Sequence, residues 1–152
     1  AQCAPDTTDF ATAKVENGML LAVDGVNRKV KFAKDGSLPI ALNYSAEHIY
    51  DERNPGLKNF YLNGKEDFLP RLGYLSRGDK FTTNCLCYDS DEFTDDEALI
   101  QELEKIKEVK IYGKHSALGA IQLTKNKTDA EMLVVKYYTM PDGQPGVKFQ
   151  VL

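Results

Sequence analysis

Turn-forming residues interrupt this sequence so often that most stretches between them have room only for short strands. Asn17-Gly18, Asp24-Gly25, Asp35-Gly36, Asn63-Gly64 and Pro141-Asp142-Gly143 each stand beside apolar runs. Glycine reaches positive φ without steric cost, and Asn or Asp tolerate it, so such groups close hairpins. Residues 19–23 are continuously apolar, Val30-Lys31-Phe32 alternates, and residues 40–44 form a third candidate strand. Short strands at close spacing with turns between them predict a mainly β (α+β) chain, a small β-barrel or sandwich.

The same reading continues toward the C-terminus. Residues 47–69 are less regular, with a short helical turn expected at 46–50 and a breaker at Asn54-Pro55-Gly56. Residues 72–88 read as strand, turn, strand, with the turn at Ser76-Arg77-Gly78-Asp79 and a β-prone run from Lys80 to Tyr88. One amphipathic helix is signalled at about 95–108. Thr94 stands as N-cap and Glu97 as its capping-box partner, acids fill the first turn, Lys105 and Lys107 sit near the other end, and Leu99, Leu103 and Ile106 recur at helical spacing. Strands follow at 109–112 and 120–123. A closing hairpin has arms at 132–140 and 146–152, with Val147, Phe149 and Val151 expected to face the core. Residues 1–9 are small and polar and read as a flexible N-terminal arm, either unstructured or docked on a neighbour; residues 10–152 read as a single β-rich domain.

Composition narrows the function classes. The chain has 152 residues, enough to bury a core without staples, and 42% of them are hydrophobic, as in globular domains. A net charge of -4 argues against nucleic acid as the main partner, because phosphate binding needs a basic footprint. Lys105, Lys107, Lys110 and Lys114 lie close in sequence, but acids flank them. No stretch approaches the ~20 apolar residues of a membrane span, so no membrane partner is expected. No signal peptide is expected, and Ala1 suits a product whose initiator Met was removed. The three cysteines read as reduced thiols: Cys3 in the arm, Cys85 and Cys87 two apart on one strand face, a poor disulfide geometry. Asn43 and Asn126 open glycosylation sequons, read here as chance matches.

The search for chemistry yields no catalytic, metal or cofactor residue, and the chain is read as not an enzyme. His48 and His115 stand apart, without Cys or Asp at ligand spacing. A thiol–imidazole pair is formally available from Cys85 or Cys87 with either histidine, but no local feature marks an activated thiol. Gly113 and Gly119 lack the Lys-Ser/Thr of a phosphate loop. The acidic run at 89–97 opens like a calcium loop with Asp89-Ser90-Asp91, then places Thr94 where that loop needs Gly and Ile100 where it needs Glu. It reads as a solvated loop leading into the helix. Arg77-Gly78-Asp79 spells an adhesion tripeptide but reads as a turn.

Three stretches carry a resemblance. They are Leu38-Pro39-Ile40-Ala41-Leu42-Asn43-Tyr44-Ser45-Ala46-Glu47 with Gly56-Leu57-Lys58-Asn59-Phe60, then residues 70–84 with their Gly78-Asp79-Lys80-Phe81-Thr82-Thr83-Asn84 ending, and last Met140-Pro141-Asp142-Gly143-Gln144-Pro145-Gly146-Val147-Lys148-Phe149. Together they resemble small β-barrel virion proteins of tailed bacteriophages, of the capsid decoration (cement) kind. The resemblance implies a structural protein that covers the outer surface of a phage head and stabilises it. Its partners would be the major capsid protein or other virion subunits, with homo-oligomer or lattice neighbours, located in the virion after assembly in the host cytoplasm. It supplies no catalytic residue, and the helix after the acidic run lies outside it and reads as an insertion. On this reading the arm would lie across neighbouring subunits. Two alternatives stand beside it: a phage tail or head-tail connector protein, and a small β-rich glycan- or protein-binding module using some of the eight tyrosines.

Overall fold

Strands dominate the computed structural model, which describes residues 3–34, 36–44, 69–139, 143 and 145–152 and the backbone of 61–62. The expected helical turn at 46–50, the breaker at 54–56, the turns at Asp35, Asn63-Gly64 and Pro141-Asp142, and His48 lie outside the described residues. Among the described residues the fold is mainly β, with two curled sheets and one helix. The chain divides into two compact units, Ala1–Tyr74 with Ala117–Gly119, and Leu75–Ser116 with Ala120–Leu152. Both units draw on the residues 10–152 that the sequence reads as one β-rich domain, each around its own sheet.

The first unit is built on β3 (Leu20–Asp24), whose five residues are all buried. An unbroken apolar run suits a strand covered on both faces. It pairs antiparallel with β4 (Lys29–Phe32) and β5 (Ile40–Asn43). Outside them lie β1 (Ala4–Pro5), parallel to β4, and β7 (Leu72–Tyr74), antiparallel to β5. A two-stranded pair, β2 (Val15–Glu16) with β6 (Tyr61–Leu62), completes the unit.

Within the arm expected at 1–9, Ala4 and Pro5 pair with Lys29 and Val30, and Cys3 is 3% exposed. The side chains explain the docking. Cys3, Pro5 and Phe10 are apolar enough to bury, and the Phe10 ring lies 4.6 Å from that of Phe32, centroid to centroid. Asp6 turns the chain between them, its carboxylate accepting from the Thr8 and Asp9 amides.

The second unit contains β8 (Lys80–Thr83), β9 (Leu86–Tyr88), α1 (Asp96–Glu104), β10 (Tyr112–Lys114), β11 (Ile121–Thr124), β12 (Met132–Thr139) and β13 (Pro145–Val151). The sheet order is β8-β13-β12-β10-β11-β9. The β-prone run from Lys80 to Tyr88 is not one strand. It breaks at Asn84 and Cys85, where the Thr83 hydroxyl accepts from the Cys85 amide, and its halves join opposite edges of the sheet. Residues 72–83 run strand, turn, strand as expected, with β7 and β8 in different sheets.

That break dictates the curvature. A flat six-stranded sheet separates its outer strands by about 24 Å, at ~4.8 Å per gap. Thr83 and Leu86 are three Cα steps apart, a reach of at most about 11 Å. The sheet must curl until its edges approach, giving a half-barrel. Inside it Val147 and Phe149 are fully buried as expected, with Ile111, Ile121 and Leu123, while Val151 is half-buried.

Candidate functional site

Among the described residues, the open seam of this half-barrel forms a concavity whose polar groups edge an apolar lining. The pairing of β13 with β8 stops at Val147 and Thr83, so Pro145 and Gly146 run on past the end of β8. The chain has by then crossed to β9. Helix α1 lies over the gap, burying Leu99 and Leu103. The result is a cleft of about 340 Å³. Leu86 of β9, Leu99, Ile100 and Leu103 of α1, and Tyr137 and Pro145 of the far wall form its apolar surface, with Asn84, Tyr88 and Asp96 at its polar edge.

The helix is placed by its cap. Asp95, in extended conformation at φ -160°, is the N-cap, and its carboxylate accepts from the Ala98 amide at 2.8 Å. The sequence reading put the cap one residue early, at Thr94. Both residues are capping types, but the carboxylate brings a charge to the positive end of the helix dipole as well as an acceptor. The helix also stops at Glu104, short of the expected 108. The Lys105 amide bonds back to Glu102 at 3.1 Å, a tightened last turn that ends the α-helical ladder.

At the cleft edge the Tyr88 hydroxyl donates to Asp96 Oδ1 at 2.6 Å. That hydrogen bond, then burial and the charges of Asp96 and Asp95, push the tyrosine pKa up, so Tyr88 stays a neutral phenol across the neutral range. The cleft can take up an apolar side chain and hold a polar or cationic neighbour at its rim.

The other residues singled out in the sequence serve local structure. Glu92 of the acidic run accepts from the Thr124 hydroxyl at 2.7 Å and the Lys125 amide at 2.6 Å, tying the loop to β11. Asp89 accepts from the Asp91 amide. Among the described residues no group of three or more His, Cys, Asp or Glu is placed to hold a metal ion. Asp79 of the Arg77-Gly78-Asp79 turn folds its carboxylate back onto the Ser76 amide at 2.7 Å, with Gly78 at φ 94°. His115 Nδ1 lies 2.6 Å from Glu131 Oε1, and the His115 amide donates to Glu131 Oε2. Cys3, Cys85 and Cys87 take part in no disulfide, and burial pushes the Cys87 pKa up against a smaller lowering by Ser116. Gly113 is a packing position, not part of a loop: the Phe149 ring occupies the space a Cβ would need, at 2.7 Å.

One feature of the first unit was not foreseen beyond its turn signal. Asp24 locks the β3–β4 loop: Oδ1 accepts from the Val26 and Asn27 amides, and Oδ2 from the Asn27 side chain and Lys31 Nζ. These hydrogen bonds, those from Asn27 first, hold its carboxyl far below the usual carboxylate range. The loop they fix presents Val26 at 93% exposure. Compared with family models, with curated protein sequences and with solved structures, the chain matches none.

Proposed function

We propose that this chain is a non-catalytic structural protein of a virion, of the capsid-decoration kind, working by docking on the outer surface of a phage head. One observation carries the reading: ionisable side chains fasten loops, and large apolar side chains stand exposed on each unit. Asp24, Asp79, Glu92 and Asp95 each fix a turn, an edge or a helix end. Val26, Ile100, Leu118 and Val135 remain exposed. A scaffold of that kind suits a protein whose work is contact, since pre-ordered loops lose little entropy when they bind. The phage-like phrases of the sequence supply the choice of virion surface.

The test is sedimentation of the purified chain with DNA-filled, tailless heads of the phage that carries its coding sequence. Binding at a fixed copy number, with heads that resist heat better, supports decoration. Binding to isolated tails instead moves the chain to the tail or connector reading. The glycan-module alternative rests on Tyr44 and Tyr74, which are exposed on the first unit. Binding on a glycan array, lost in Tyr74→Ala, together with indifference to heads and tails, would favour it.

A further inference from the structure

The exposed loop of the first unit and the cleft of the second have complementary chemistry. The loop, Gly25-Val26-Asn27-Arg28, carries one large apolar side chain, and three hydrogen bonds from Val26 and Asn27 to the Asp24 carboxylate hold it. Arg28 sits at φ 53°, the one non-glycine residue in the left-handed region among those described. Such a conformation brings the Cβ of any residue but glycine too close to a backbone carbonyl oxygen. Fold stability alone would favour Gly or Asn there. Strain of this sort persists only where the surroundings enforce it. Arg28 and Lys29 place positive charge beside Val26.

The cleft has the opposite character. Between Asp89 and Glu104 the chain has eight acidic residues and no Lys, Arg or His. Asp96 stands at the cleft edge, and Asp95 and Glu97 are exposed beside it. The space beneath, about 340 Å³, is enough for a valine side chain and part of a neighbour. Ile100, on its lip, is 37% exposed.

We infer that the Val26 loop of one copy seats in the α1 cleft of a second copy, Val26 against Ile100 and Leu86, Arg28 toward Asp96. The contact is heterologous: each copy offers one knob and one hole, so association can continue from copy to copy. It does not require the virion reading, because it concerns the chain alone in solution.

The contact gives a distinctive mixing experiment, followed by analytical ultracentrifugation. Wild-type chain associates as concentration rises, and less so in high salt, which screens the charged rim. Val26→Asn removes the knob, and Ile100→Asp spoils the hole. Each variant alone is monomeric, its self-association weakened at least about tenfold, as for loss of an interface anchor. Mixed together, they form a one-to-one heterodimer and nothing larger, because only one knob and one hole survive. Wild-type chain that stays monomeric, variants that associate like wild type, or a mixture without heterodimer would each overturn the inference. Circular dichroism checks the fold. Should Ile100→Asp unfold, Asp96→Lys on the same rim takes its place, with the same heterodimer expected and its absence decisive.

Discussion

Asp24 shows how a single side chain shapes this protein. It is buried at the end of a central strand, yet each carboxylate oxygen accepts two hydrogen bonds, and Lys31 lies 3.0 Å away. Folding lowers its pKa from the ordinary 3.8. Its contribution is therefore complete above the ordinary carboxylate range and is lost as pH falls below that range toward the folded value. Asp24→Asn should lower the thermal midpoint at about pH 7, and the gap from wild type should narrow in scans at about pH 3. Gly113 is the opposite case, a residue whose importance is the side chain it lacks. In Gly113→Ala the new methyl meets the Phe149 ring at 2.7 Å and Ile121 at 3.0 Å. Both neighbours are fully buried and cannot swing away. The expected loss is about 1–3 kcal/mol, read from urea unfolding.

Helix α1 is held to the sheet by a narrow apolar stripe and a capped end, so its cap is a large share of what fixes it. Asp95→Ala should cost about 1 kcal/mol, as for other N-cap removals. Thr94→Ala, the residue the sequence pattern favoured, should change stability by less than ~0.5 kcal/mol. Urea denaturation of the two variants side by side checks the assignment. The existence of this helix was legible from the spacing of Leu99 and Leu103 and from the acids ahead of them. Its boundaries were not, because Thr94 and Asp95 are both capping residues and only the observed backbone distinguishes them. The strand pieces were legible in the same sense. Residues 19–23, 30–32, 40–44 and 132–140 all fall on observed strands, within a residue or two at the ends.

The assembly of those strands belongs to the whole molecule. β13 closes the chain, yet it lies inside the sheet, paired with β8 on one side and β12 on the other. Deleting residues 145–152 should therefore abolish amide protection across β8 and β12, measured by hydrogen exchange. Deleting residues 1–5 removes only an edge strand, and the ladder of β3, β4 and β5 should keep its protection. The cleft is also a property of the whole unit. Its lining comes from β9, α1, β12 and β13, and no local pattern announces that they meet. Alternation, turn chemistry and capping act over a few residues, so the sequence alone determined the mainly β class, the turns at Asn17-Gly18, Asp24-Gly25 and 76–79, and helix α1. Tertiary structure decided the rest: the docking of residues 3–10, the split into two units, the parting of β8 from β9, and the seam this opens. Those outcomes depend on which distant apolar faces bury one another, a competition settled by long-range packing that neighbouring residues do not encode.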